Sequence, residues 1–147
     1  MPPNDEAHMF GRELYLRWTA LWNMDLDLAS DILAPQLVLR YAQPGTEAMD
    51  HATVPVDLVN IVRNWHDKRR NIRFSAVGEA VVDLFADAQS FTGLVAQPYE
   101  VSFEIAGSGR VSCGGTDTLR VVRGRISEVW SVSSGPQGRC FYRDVMP

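Results

Sequence analysis

"GGTDTLRVVRGRISEVW", residues 114–130, decides how this chain is read. On both sides of Arg123-Gly124, apolar residues alternate with polar ones, the pattern of two half-buried strands joined by a tight turn. The turn sets the register. A two-residue loop would need positive φ at both Arg123 and Gly124, which arginine disfavours. A three-residue loop, Val122-Arg123-Gly124, needs it only at the glycine, so a type I turn with a glycine bulge is expected. Val121 then lies opposite Arg125, Leu119 opposite Ser127, Asp117 opposite Val129 and Gly115 opposite Ser131. Directly opposed residues share a face. Asp117, Val129, Ser131 and Ser133 therefore line one side, together with Val111, Leu119 and Val121, and that side should face the helices. Thr116, Thr118, Arg120, Ile126, Glu128 and Trp130 line the other. The shorter loop would instead pair Asp117 with Trp130.

A carboxylate on a core-facing strand has two physical options. It stays ionised by accepting several hydrogen bonds, or its pKa rises until it is neutral. A neutral acid in an apolar pocket is a hydrogen-bond donor and can stabilise oxygen charge that develops on a carbonyl substrate. The other reading makes Asp117 a structural tie to backbone amides or to a side chain of the first helix.

Upstream, the period is helical. Residues 9–23, "MFGRELYLRWTALWN", place Phe10, Leu14, Trp18 and Leu21 on one face, flanked by Tyr15 and Trp22. Asp25 can cap a short second helix that Pro35 ends. Residues 37–42 read as a short strand and 43–53 as a loop. Pro55 opens a third helix, to about Arg70, with Leu58, Ile61, Val62 and Trp65 inward. From residue 71 the period becomes two. Residues 71–85 read as one long strand bent at Gly78, and 89–107 as a second with a bulge or bend at Pro98. Residues 110–122 and 125–134 complete a meander of four long strands. Helices followed by antiparallel strands mean α+β. The helices must cover the concave face of a curved sheet, and a pocket between the two layers is a usual place for a small ligand.

The whole chain sets outer limits. Its 147 residues, 46% hydrophobic and 22% charged, suit one domain, taken as residues 1–147 with a core of about 9–134. A formal net charge of −4 disfavours nucleic acid as a partner. The "KRR" of Lys68–Arg70 reads as a solvated helix end, where cations suit the dipole. No apolar run is long enough to span a bilayer, and the polar start is no signal peptide, so a cytoplasmic location is expected. Cys113 and Cys140 form no metal spacing and read as a reduced pair. The three histidines, His8, His51 and His66, are scattered, so no metal and no cofactor is expected. Trp130 among polar residues on the outer sheet face, beside Arg120 and Glu128, points to a homodimer. The other reading packs Trp130 on Arg120.

Tyr15, Trp18, Trp22, Tyr41 and Trp65 are a heavy aromatic load near the expected pocket. They are either aromatic core or a site that stacks a flat, apolar ligand. Val62, Val129 and Ser131 would complete its wall, and Tyr99 its rim. His51, in the loop before the third helix, would sit at the pocket mouth as a general base. His66 is expected to face out, and Cys113 to be a small buried residue on the face of Asp117.

The order of elements, the "LWNMDLDLASDILAP" of residues 21–35 and the "TDTLRVVRGRISEVW" of residues 116–130 resemble the NTF2-like superfamily over roughly residues 9–134. Within it the SnoaL-like polyketide cyclases and ketosteroid isomerases are most similar. The resemblance implies a cone-shaped, curved antiparallel sheet with three N-terminal helices on its concave face. In the isomerases a late-strand aspartic acid and a tyrosine of the first helix are oxyanion donors, and a further aspartate is the base. Asp117, in Asp-x-x-Arg, matches the late-strand acid. The helix position falls on Trp18 and the base position near Tyr41. In the cyclases an acid/base group follows the Trp of the last strand, where this chain has Ser131. Three functions fit: an isomerase or cyclase acting on an apolar carbonyl compound, with Asp117 as oxyanion donor and Tyr41 or His51 as proton acceptor; a ligand-binding domain without chemistry; or an assembly module.

Overall fold

The computed structural model describes residues 3–142. The chain enters on helix α1 (Pro3–Trp22), which begins before the expected residue 9. Its opening turn has no apolar period, but Asp5 and Glu6 there suit the positive end of the helix dipole. Short helix α2 (Leu28–Ile32) follows, and the chain passes directly into strand β1 (Leu33–Tyr41). Asp27, not Asp25, sits at the start of α2, and its side chain makes no cap. A 3-10 turn (Glu47–His51) precedes helix α3 (Pro55–Lys68). The Asp57 carboxylate accepts the Thr53 and Val54 amides at 2.9 and 3.2 Å and so fixes where α3 starts.

The remaining strands are β2 (Arg70–Ala76), β3 (Val81–Asp87), β4 (Ser90–Ile105), β5 (Gly109–Val122) and β6 (Arg125–Ser133). The expected strand 71–85 is thus broken into two, with Gly78 at φ +64° in the gap, and both halves pair with β4. Pro98 causes no bulge. It pairs in register with Thr116, and its carbonyl accepts the Val77 amide, so its missing N–H falls at the gap between β2 and β3.

The sheet order is β1-β6-β5-β4-β2, with β3 beside β2 along β4. It is mixed rather than antiparallel: β1 runs parallel to β6, pairing Leu39 with Val129 and Tyr41 with Ser131. Everything from α3 to β5 is the crossover between them.

The β5–β6 turn also departs from expectation. Val122 pairs with Arg125, leaving a two-residue loop in which Arg123 has φ +50° and Gly124 φ +81°. The Arg123 amide donates to Thr92 Oγ1 at 3.0 Å and the Gly124 amide to the Phe91 carbonyl at 2.8 Å, so the start of β4 holds the turn in its disfavoured conformation. One residue later the register shifts, with Val121 opposite Ile126 but Arg120 opposite Glu128. The extra residue, Ser127, reverses parity a second time. Asp117 therefore pairs with Ser131, not with Val129 or Trp130, and still shares a face with Val129, Ser131 and Ser133. Ile126 moves from the expected outer face into the core, fully buried.

α1 and α3 lie over the concave face. Leu21, Ile32, Leu58, Val62, Val95, Leu119, Val121 and Ile126 are all at 0% exposure there, and this packing supplies most of the burial that holds helix to sheet. On the convex face Trp130 lies under the Arg120 guanidinium at 5.2 Å. Glu128 pairs with both Arg40 and Arg120 and links three strands. Among the described residues, no helix is long and apolar enough to cross a membrane.

Candidate functional site

At the wide end of the layer space the packing opens into a cavity of about 640 Å³. Tyr15, Trp18 and Trp22 of α1 and Trp65 of α3 form its roof, and Tyr99, Asp117 and Ser131 belong to its floor. Residues 43–46 and 134–137 form the rim. The hollow has a local cause at Gly115, which stands opposite Tyr99 on the inner face. A Cβ at Gly115 would lie 2.5 Å from the Tyr99 ring and 2.6 Å from the Val132 carbonyl, so only glycine lets that ring settle there.

Asp117 is 6% exposed. The Trp18 indole N–H donates to its Oδ2 at 2.9 Å, linking α1 to β5 across 99 residues of sequence. Among the described residues its Oδ1 has no hydrogen-bond partner, nor does the buried hydroxyl of Ser131 on the neighbouring strand. Burial raises the Asp117 pKa to about 6, against the pull of the nearby Ser131 hydroxyl and of Trp18. Ser131 is thus near enough to influence Asp117 but aligned for no proper bond. One tie from Trp18 does not satisfy this carboxyl.

Burial and the Asp117 charge hold the pKa of Tyr15, Tyr41 and Tyr99 well above that of free tyrosine. These hydroxyls remain protonated and act as donors. Tyr41, expected as a proton acceptor, lines the cavity with its hydroxyl favoured in the protonated form. His51 is exposed on the 3-10 turn and does not line the cavity. The surrounding loop packs inward instead through Thr46 and Met49, both buried.

Of the expected binding residues, Tyr15, Trp18, Trp22, Trp65, Tyr99 and Ser131 do line the cavity. Val62 and Val129 do not; they are sealed in the packed core, at 0% and 1% exposure. Tyr99 lies on the floor, buried, rather than at a rim. His66 does not simply face out, because its Nε2 lies 2.6 Å from the Trp22 carbonyl at the end of α1. Cys113 is buried, as expected, and joins the cavity wall.

Sequence reasoning missed Arg69, Phe74 and Phe103, which also line the cavity. Phe74 and Phe103 were visible as alternating residues on strands, without a signal for which face they take. Arg69 was hidden in a basic run. It is the first residue beyond α3, with extended backbone, and its guanidinium lies over the Trp65 ring at 3.8 Å.

Among the described residues, four buried side-chain polar atoms lack a partner: Trp22 Nε1, Gln43 Oε1, Asp117 Oδ1 and Ser131 Oγ. All four residues line this one cavity. Buried polar groups are normally satisfied, so the cavity wall carries a concentration of polar atoms that no described residue meets.

No protein-family model and no curated protein matches the chain. Solved structures do. A candidate polyketide cyclase from Acidithiobacillus ferrooxidans matches with a TM-score of 0.62 at 15% identity, over 84% of this chain and 87% of that one. AclR, a candidate hydroxylase from Streptomyces galilaeus, matches with a TM-score of 0.59 at 20% identity, over 88% and 78%. A candidate isomerase of the SnoaL-like family from Agrobacterium tumefaciens matches with a TM-score of 0.57 at 16% identity, over 86% and 99%. These likenesses, together with the three helices on a curved mixed sheet, show that the chain has the NTF2-like fold.

Proposed function

We propose that the cavity binds a flat, apolar carbonyl compound and that Asp117 moves a proton at the carbon next to that carbonyl. The observation that carries this is the state of Asp117: buried, held at Oδ2 by Trp18, and unpartnered at Oδ1. A carboxyl with a pKa of about 6 changes protonation near neutral pH, where a general base is most useful. The protonated tyrosine hydroxyls suit the donor role, so in this reading the division of labour expected from the sequence is exchanged. As carboxylate, Asp117 takes the α-proton, and the electron pair of that C–H bond moves into the enolate. A neighbouring hydroxyl of Tyr15, Tyr41 or Tyr99 donates to the enolate oxygen. Returning the proton to another carbon is isomerisation. Attack of the enolate carbon on a second carbonyl of the same molecule, with a proton delivered to the new alkoxide, is an aldol-type cyclisation. Both fit the names of structurally similar proteins, a polyketide cyclase and a SnoaL-like isomerase.

The test is hydrogen–deuterium exchange at the α-carbon of 2-tetralone in D2O, followed by NMR with wild type and Asp117→Leu. The expected result is exchange that rises with pH through about 6, tracking the ionisation of Asp117, and that Asp117→Leu abolishes while still folded. Tight binding of 2-naphthol without exchange would move the reading to ligand binding without chemistry, and exchange retained by Asp117→Leu would remove Asp117 from the reaction.

A further inference from the structure

Of the described residues that line the cavity, only Asp117 and Arg69 carry formal charge. They stand at different levels. Arg69 belongs to the level of Cys113 and Phe103: its charge acts on the Cys113 thiol, and its guanidinium lies 5.9 Å from the Phe103 ring centre. Cys113 precedes Asp117 by four positions on β5, which places the two levels about 13 Å apart along the strand. Among the described residues, Arg69 makes no ion pair and no side-chain hydrogen bond with Asp117 or any other residue.

The Arg69 guanidinium is half-buried against Trp65 and Phe103, and its five N–H donors, which no described side chain accepts, stay open in the plane. Stacking on aromatic rings fixes the orientation of the fork without using those donors. Burial lowers the Arg69 pKa, yet a guanidinium remains charged at any physiological pH. Trp22, which packs edge-on against Trp65 at 5.7 Å, adds a buried indole N–H without a partner. One end of the cavity thus offers oriented donors and a positive charge, and the other offers Asp117.

We propose that the ligand of this cavity is an apolar carbonyl compound that also carries a carboxylate, and that Arg69 selects it by pairing with that carboxylate. The proposal rests on the reading of the cavity as a ligand site. The carbonyl lies at Asp117 and the carboxylate on the order of 10 Å away, at Arg69, so the span between the two charged residues sets the length of the molecule. The same placement keeps the ligand's negative charge away from Asp117.

Fluorescence titration with two probes that differ only in charge tests this: 6-hydroxy-2-naphthoate and 6-hydroxy-2-naphthamide. Wild type should bind the naphthoate about tenfold or more tightly, the ordinary gain from a hydrogen bond to a charged group. That ratio should fall to near one in Arg69→Gln and be partly kept in Arg69→Lys, with circular dichroism checking that both variants fold. Equal affinity for the two probes in wild type overturns the proposal without need of any variant. So does a ratio that Arg69→Gln leaves intact, which would make Arg69 a structural lid on Trp65. Titration of wild type with uncharged 2-naphthol separates the two levels of inference. If 2-naphthol binds but charge makes no difference, only the carboxylate assignment falls. If none of the three probes binds, the ligand site falls with it.

Discussion

The two halves of strand β5 differ in what their inner faces meet. Towards the hairpin, Leu119 and Val121 meet Val95, Ile126 and Val129, and none of these five is exposed beyond 1%. Towards the other end, Cys113 and Asp117 face the cavity, and between them Gly115 leaves room for the Tyr99 ring of its floor. Both halves alternate with the same period, and both lie under α1 and α3. The difference therefore comes from side-chain volume and polarity at three inward positions and not from the backbone. One half supplies the packing that lets the other remain hollow and hold a carboxyl it does not satisfy.

Filling or emptying each half should have opposite consequences. Leu119→Ala opens a void in the packed half and should cost about 2–5 kcal/mol in urea denaturation. A loss below about 1 kcal/mol would mean that this half is as adaptable as the cavity and would erase the contrast.

Asp117→Asn should have the next largest effect, with a sign that depends on pH. On folding, the carboxyl goes from its ordinary 3.8 to about 6. Between those values the folded protein holds more protons than the unfolded one, so stability falls as pH rises through this window and stays lower above it. The loss is on the order of 3 kcal/mol. Asparagine has no such term and can still accept from Trp18. The variant should match wild type near pH 4 and exceed it at pH 8 in paired denaturation curves. Equal stability at both pH values would place Asp117 among satisfied structural ties, in the manner of the packed half.

Gly115→Ala intrudes on Tyr99 and on the Val132 carbonyl, and a backbone atom cannot swing aside. A cost of about 1–3 kcal/mol is expected, together with a displaced Tyr99 ring. Thermal melting checks the first, and weaker 2-naphthol binding checks the second. The smallest effect belongs to the hairpin that ends the packed half. Arg123→Asn places a residue tolerant of positive φ at +50° and should add about 0.5–1 kcal/mol, visible as a small rise in Tm.

These four sites also show what the sequence could and could not disclose. Alternation placed Leu119, Val121 and Asp117 on one face, and helical spacing placed Trp18 on the inner side of α1, so layers and cavity wall were legible from local pattern. The turn was misread because propensity argues against arginine at positive φ, while the bonds that hold it come from Phe91 and Thr92, about thirty residues upstream. The face assignment for Asp117 survived because the bulge at Ser127 undid the change of parity; Ile126, on the near side of the bulge, did not benefit. The parallel pairing of β1 with β6 left no local mark, since its partner lies about ninety residues away. Arg69 was concealed by composition: a basic run at a helix end reads as solvated, and only the turn out of α3 lays this one cation on Trp65. His51 failed for the opposite reason. A histidine is conspicuous, but no periodicity tells which side of a loop it takes.

The tryptophans of the roof have an optical consequence. Of the four in the chain, Trp18, Trp22 and Trp65 line the cavity, with ring centres 6.1 and 5.7 Å apart along the series, while Trp130 stands on the opposite side of the sheet. Rings at that spacing exchange excitation readily, so a chromophore seated against any one of them drains the emission of all three. Quenching of this shared ultraviolet emission is therefore the expected signature of a ligand in the cavity, to be checked with unlabelled compounds.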